Sequence, residues 1–310
     1  MTFEHQPVLL QEVLDLLEPA CCHHIVDGTV GGGGHAAALL AAAPADAELL
    51  GLDRDDAALA AAAVRLAPFG QRAHLARCRY SRLEDAADEL GWEHVDAVLL
   101  DIGISSHQID SAARGFAHRL DGPLDMRMDR RERTTAATLL NQASAEELER
   151  IFRTFGEEPR ARQVARAVVE RRAERPWERT GELAELVLRV AGRPHERGLP
   201  AATRVFQALR IAVNGELDEL AAGLRAALEL LRPGGRLAVI CFHSLEDRMV
   251  KEFFREQAAP CVCPPDFPIC ACGRVATLRQ VTRKPVTAGA AELDVNRRAA
   301  SAKLRVAEKL

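Results

Sequence analysis

Three aspartates in the first third of the chain stand where nucleotide-binding folds do their chemistry. Asp27 closes the apolar run His24-Ile25-Val26, Asp53 closes a second run and Asp101 a third. Asp27 also opens a glycine loop, Asp27-Gly28-Thr29-Val30-Gly31-Gly32-Gly33-Gly34-His35, which leads into the alanine- and leucine-rich stretch 36–43. Residues without a Cβ reach φ > 0 and let backbone come close to a bound ligand. Gly31, Gly33 and Ala36 fit the G-x-G-x-x-G/A fingerprint, and Asp53 follows where an acid reads ribose hydroxyls. Four successive glycines alone equally describe a flexible turn. The downstream acid turns the reading toward a nucleotide-like ligand.

NAD and S-adenosylmethionine both present an adenosine ribose to such an acid, so the loop and Asp53 do not choose between them. Asp101-Ile102-Gly103-Ile104-Ser105-Ser106 leans toward the methyl donor. Amino-group methyltransferases place an acidic or amide residue and turning backbone here, facing the target nitrogen; the proline pair and aromatic usual among them are missing from this chain. His243, after a later apolar run, is a second candidate for proton acceptance because imidazole titrates near neutrality. A histidine that merely fixes its loop is the competing reading. An NAD-dependent oxidoreductase would share the loop and Asp53 but gives no reason for the Asp101 and His243 stretches.

The elements that must position these groups alternate strand and helix: strands ending at Asp27, at 48–53, 73–78 and 95–101, with helices at 8–17, 56–66 and 81–90. That is a doubly wound α/β pattern. In open parallel sheets ligands sit beyond the carboxyl ends of the strands, which places Asp27, Asp53, Tyr80 and Asp101 on one rim. After Ser106 the alternation stops for about a hundred residues of polar, helical sequence. Ser144 and Glu147 form a capping box for a helix to Thr154, Pro159 fits the first turn of a helix to about Ala173, and Thr180 fits the cap of another through Val190. A helix over 217–231, a turn at Pro233-Gly234-Gly235 and a strand over 236–241 resume the α/β pattern.

The chain of 310 residues, 48% hydrophobic, can bury one large core with a smaller satellite. No segment approaches the roughly 18 consecutive apolar residues of a membrane span. Glu4, Glu12, Asp15 and Glu18 stand where a signal peptide would be apolar, so the expected place is the cytoplasm, with no membrane partner. A net charge of −4 exerts no general pull on nucleic acid, but residues 107–214 hold 20 Arg and no Lys against 16 acidic residues, +4, leaving −8 elsewhere. Arg160, Arg162, Arg166, Arg171, Arg172 and Arg175 are the densest group, and arginine's planar fork suits phosphate oxygens. An arginine-studded helix is as often a solvated face. Eight cysteines do not make a disulfide scaffold. Cys261-Val262-Cys263 and Cys270-Ala271-Cys272 enclose a proline-rich loop that could wrap zinc, but their C-x-C spacing is tighter than the common C-x₂₋₄-C, and a reduced loop without metal is favoured.

Several stretches resemble the bacterial 16S ribosomal RNA cytosine-N4 methyltransferase family: His5-Gln6-Pro7-Val8-Leu9-Leu10, Asp27-Gly28-Thr29 with Gly33-Gly34-His35, Leu52-Asp53-Arg54-Asp55, Leu99 to Ser106 with Gln108, Arg114-Gly115-Phe116, Asp121 to Met128, Thr203 to Ile211, and Phe242-His243-Ser244-Leu245-Glu246-Asp247-Arg248. The resemblance runs over nearly the whole chain. It implies a class I, Rossmann-like S-adenosylmethionine-dependent methyltransferase domain, residues 1–107 and 215–310, interrupted by an all-α, arginine-rich domain, residues 108–214, for RNA recognition. It implies N4 methylation of a decoding-centre (P-site) cytosine of 16S rRNA in the small ribosomal subunit, with a homodimer left open. Gly33, Gly34, His35, Asp53, Tyr80, Asp101 and Gln108 become the cofactor contacts, Tyr80 standing where the family often has Phe. Asn296-Arg297-Arg298 to Arg305 matches a C-terminal family motif, except that Arg297 replaces a proline and Ala300 an arginine.

For that chemistry the cytosine amine must be aligned and its hydrogens accepted. Asp101 and the backbone carbonyls of residues 102–104 are the expected acceptor set, with Ser105 and Ser106 shaping the base pocket. For Asp101 a purely cofactor-anchoring role weighs slightly more than direct proton acceptance. A non-catalytic RNA-binding ribosome-assembly module would need the arginines alone.

Overall fold

The computed structural model describes residues 7–192, 199–261, 263 and 272–310. It divides into two compact units, Met1–Gly103 with Asp218–Leu310, and Ile104–Leu217.

The first unit is built on a seven-stranded sheet of order β3-β2-β1-β4-β5-β7-β6. Its strands are β1 His24–Asp27, β2 Glu48–Asp53, β3 Ala73–Arg77, β4 Val95–Asp101, β5 Leu231–Cys241, β6 Leu278–Gln280 and β7 Lys303–Lys309. β1 to β5 are parallel, and β7 runs antiparallel between β5 and β6. Both faces are buried, as the apolar runs require. Successive residues point to opposite faces, so Val98 and Leu100 join one core with Leu83, Leu220, Leu224 and Val250. Ala97 and Leu99 join the other with Val13, Leu17, Leu39, Ala62 and Leu66. Helices α1 Leu10–Leu17, α2 Gly34–Ala42, α3 Asp56–Leu66 and α4 Leu83–Asp88 follow in the first half of the unit. The strand order reverses between β1 and β4, the switch point at which such sheets bind ligands.

The second unit is helical: α5 Ser106–Asp110, α6 Ala136–Gln142, α7 Ala145–Thr154, α8 Ala161–Glu174, α9 Thr180–Ala191 and α10 Ala201–Asn214. Its own core gathers Leu148, Phe152, Val164, Val168, Trp177, Leu183, Val205, Phe206 and Leu209. Asn214, 1% exposed, ties it internally by donating to the Met126 and Arg210 carbonyls and accepting from Met128 N–H. Helices α11 Glu216–Leu230, α12 Ser244–Gln257 and α13 Ala290–Val295 complete the chain.

Several sequence expectations shift locally. Pro159 precedes α8, which starts at Ala161. Thr180 lies inside the first turn of α9, its hydroxyl bonded to the Leu120 and Gly122 backbone, and Arg179 occupies the cap position. The helix expected over 81–90 is a single tight turn, Tyr80–Arg82, followed by the short α4. Pro233-Gly234-Gly235 is not a free turn but an outward irregularity of β5: Leu231 pairs with Val95 and Arg236 with Ala97.

Candidate active site

The rim at the carboxyl ends of β1, β2 and β4 carries three carboxylates in differing states. Asp53 is held by the glycine loop: its Oδ2 accepts from Gly31 N–H at 3.1 Å and its Oδ1 from Asp55 N–H at 2.9 Å. Burial nevertheless raises its pKa, opposed by those two bonds. Each oxygen keeps a second lone pair for a further donor such as a ribose hydroxyl. Asp27, 1% exposed, accepts from Thr29 N–H at 3.2 Å. Burial lifts it to about 7; Thr29 opposes the rise and the Asp53 charge adds to it. Asp101 is the least satisfied of the three. Its Oδ1 is enclosed and has no hydrogen-bond partner among the described residues. Burial, then repulsion from Asp27 and from Glu246, lifts this carboxyl to about 8.

Asp101 is aimed from several sides. Its N–H donates to Thr29 Oγ1 at 2.6 Å, so the glycine loop and β4 set each other's position. Its Oδ2 lies 3.6 Å from Nδ1 of His35, and Nε2 of His35 bonds the Val8 carbonyl at 2.9 Å. The His35 ring is 7% exposed, so it faces Asp101 from within rather than standing open on the rim. Gly33 caps α2 at φ 75°, and a Cβ there would come within 3.2 Å of Ala62 Cα. At Gly34 a Cβ would meet Pro7 at 2.6 Å. Both glycines are therefore also required by packing. His5 and Gln6 of the opening motif lie outside the described residues.

Tyr80 follows β3 in the Tyr80–Arg82 turn, and that turn is fixed by a residue that motif reading missed. Glu219, on α11, accepts from Ser81 N–H, from Ser81 Oγ and from Arg79 at 2.9, 3.0 and 3.3 Å. The Tyr80 ring lies on Gly223 so closely that a Cβ there would come within 2.3 Å of it. The sequence signal was present in the period of α11: Glu219 and Gly223 are four residues apart, on one face.

His243 caps α12. Its Nδ1 accepts from Glu246 N–H at 3.3 Å, and Glu246 Oε2 accepts from the His243 and Phe242 N–H groups at 3.1 and 2.8 Å. Nε2 sits 2.9 Å from Glu246 Oε1 but is not aligned to bond it. Taking a proton at Nδ1 would break the cap, so the geometry favours the loop-fixing reading over the catalytic one.

Gln108 belongs to the second unit, where it closes a reciprocal box with Ser105: Ser105 N–H donates to Gln108 Oε1 at 3.1 Å and Gln108 N–H to Ser105 Oγ at 3.3 Å. That commits the Ser105 hydroxyl, expected in the base pocket, to the cap of α5. The side chain of Ser106 lies outside the described residues.

The rim suits a cation. Asp27, Asp53, Asp101 and Glu246 gather acidic groups around an unpartnered carboxylate oxygen, and a positive charge placed there would favour the ionised forms of Asp27 and Asp101, which are otherwise raised to about 7 and about 8. Comparison with known proteins points the same way. The family model described as "MraW methylase family" matches residues 2–310. The chain belongs to the MraW methylase family. It is 52% identical over 312 residues to "Ribosomal RNA small subunit methyltransferase H" of Heliobacterium modesticaldum, covering 100% of both chains. Proteins of the same name from Symbiobacterium thermophilum, 51% identical with 100% of this chain and 98% of the relative covered, and Geobacter sulfurreducens, 50% identical with 100% of both covered, match equally broadly. The methylase is thus an enzyme of the Rossmann-like α/β class that uses S-adenosylmethionine, and the oxidoreductase reading falls away.

The densest arginines of this methylase are mostly committed to structure. Arg172 donates to the Leu140 and Ala143 carbonyls, Arg160 to the Val190 carbonyl, and Arg171 stacks 4.1 Å over Trp177 while bonding Glu182, which also pairs with Arg175. Arg162 and Arg166 of that group remain exposed on α8. The arginine substitutions in the C-terminal motif fall on a surface turn: Arg297 and Ala300 are exposed, whereas Ala299 and Ala302 are buried.

Proposed function

We propose that this methylase methylates N4 of a decoding-centre (P-site) cytosine of 16S rRNA within the small ribosomal subunit, in the cytoplasm. The observation that carries the reading is the enclosed, unpartnered Oδ1 of Asp101 on a carboxylate-rich rim, in a chain whose relatives are named as small-subunit ribosomal RNA methyltransferases. S-adenosylmethionine supplies an electrophilic methyl group when bound. Asp53 receives the ribose hydroxyls, Tyr80 lies beside the adenine, and the backbone of Gly33 and Gly34 passes close to the ligand. Asp101 holds the cationic end, and its deprotonated form is favoured there because the ligand's charge offsets the repulsion from Asp27 and Glu246. His35 positions Asp101 from behind.

The cytosine amine is a poor nucleophile whose hydrogens gain acidity as its nitrogen attacks. Asp101 and the backbone carbonyls that follow it in the chain accept them on this reading, and preorganised acceptors of this kind cost no reorganisation during reaction. His243 keeps the start of α12 in place. The target base must be unstacked to react, which suits a flexible or exposed RNA segment. The second unit serves RNA recognition, with Arg162 and Arg166 among its phosphate contacts.

The test is labelled-methyl transfer to small subunits lacking the modification and, in parallel, to free 16S rRNA, followed by nucleoside analysis. Label in N4-methylcytidine at one position, with subunits the better acceptor, is expected. Label in another nucleoside, or none in either RNA, excludes the reading.

A further inference from the structure

Away from the rim, a second set of groups is gathered with no part in methyl transfer. The chain leaves α12 at Gln257 and returns at Thr277, whose N–H donates to the Gln257 carbonyl at 2.9 Å and whose hydroxyl bonds the Gln257 side chain at 2.8 Å. Arg274 closes the same neck by donating to the Glu256 carbonyl. Within the excursion, Cys261, Cys263 and Cys272 bring their sulfurs within 4.8 Å of one another. The spacing of the motif alone favoured a loop without metal; convergence of three thiols across the neck changes that reading. Cys270, the remaining cysteine of the motif, lies outside the described residues.

We propose that Cys261, Cys263 and Cys272 bind one structural zinc ion. Zinc–thiolate bonds of about 2.3 Å in tetrahedral array put neighbouring sulfurs about 3.8 Å apart. The Cys261 and Cys272 sulfurs are separated by 3.8 Å. Cys263 N–H lies 3.3 Å from Cys261 Sγ and donates to it, a bond that strengthens as that sulfur becomes a thiolate. Three thiolates take three corners of the tetrahedron. Each binding thiol gives up its proton to solvent, so no electron acceptor is required. The ion cross-links residues 11 apart in sequence and fastens the end of α12 to the approach to β6.

The role is structural because of where the cluster stands. α12 has 14 residues and starts at the rim, so at about 1.5 Å per residue its far end is about 21 Å away. A metal there acts on the stability of the α12–β6 edge and not on the reacting groups.

Full-length protein, expressed with zinc and purified without chelator, should carry one zinc per chain by elemental analysis and native mass spectrometry. Cys261→Ser and Cys272→Ser should lose it, Cys263→His should keep it, and Cys21→Ser, outside the cluster, should be indistinguishable from the parent. Cobalt added to stripped protein should give thiolate-to-metal charge-transfer absorption that disappears in Cys272→Ser, with far-UV circular dichroism showing that each variant is folded. Stripping should lower the thermal midpoint while KM for the methyl donor stays unchanged. A chain without zinc, zinc retained in folded Cys272→Ser, a Cys261–Cys272 disulfide trapped by alkylation at lysis, or a KM that moves with the metal overturns the proposal.

Discussion

Asp101 concentrates the conflict between stability and function in this enzyme. A carboxylate enclosed with one oxygen unpartnered, and repelled by Asp27 and Glu246, is costly when ionised. The folded-state values of Asp27 and Asp101, about 7 and about 8, lie above the ordinary carboxylate value. Their contribution to stability is therefore full below about pH 4 and is lost as the pH rises through the two folded-state values. Replacing Asp101 with Asn should abolish methyl transfer and yet raise the melting temperature of the ligand-free protein at pH 8, with a smaller gain at pH 5. Equal melting temperatures for parent and variant at pH 8 would show that the charge is not strained. His243 contributes to stability as a helix cap. His243→Asn keeps a good cap and should retain the parent's pH–rate profile, whereas His243→Ala should lose about 1 kcal/mol of stability, measured by denaturant unfolding. Loss of an ionisation from the profile of the Asn variant would restore histidine as a proton acceptor.

At the scale of elements, strands were the most legible part. The runs at 48–53 and 95–101 are strands with those bounds, because a parallel sheet buried on both faces demands continuous apolar sequence. Caps were less so. Ser144 caps α7, but only its half of the expected box with Glu147 forms, and Thr180 was misplaced by one residue because its hydroxyl serves the backbone of Leu120 and Gly122 instead of its own helix. The seat of Tyr80 was invisible to motif reading, since it depends on a helix that arrives some 140 residues later in the chain. Gly223→Ala forces the Tyr80 ring aside and should cost about 1–3 kcal/mol in stability. KM for the methyl donor should rise more than kcat falls. An unchanged KM would mean that the ring does not flank the adenine.

For the whole molecule, the α/β character, the rim and the departure from strand alternation after β4 could be read from periodicity and from where acids end apolar runs. The use of the arginines could not be, because charge counts do not reveal which guanidinium groups are spent on carbonyls and carboxylates. The proposed RNA contact through α8 rests on Arg162 and Arg166, both exposed. Charge reversal of both should weaken binding to 16S rRNA, with the salt slope falling by about 0.7 per lost contact, and leave donor binding unaltered. A slope equal to the parent's would remove α8 from the RNA surface. Central to the proposed function is a carboxylate rim that receives a cationic methyl donor. Titration calorimetry of S-adenosylmethionine against the parent and Asp101→Asn between pH 6 and pH 8 tests it most directly. Affinity that rises with pH in the parent, with proton release, and rises less steeply in the variant, where Asp27 still titrates, is the expected result. Affinity independent of pH in the parent, or unchanged by the substitution, would contradict it.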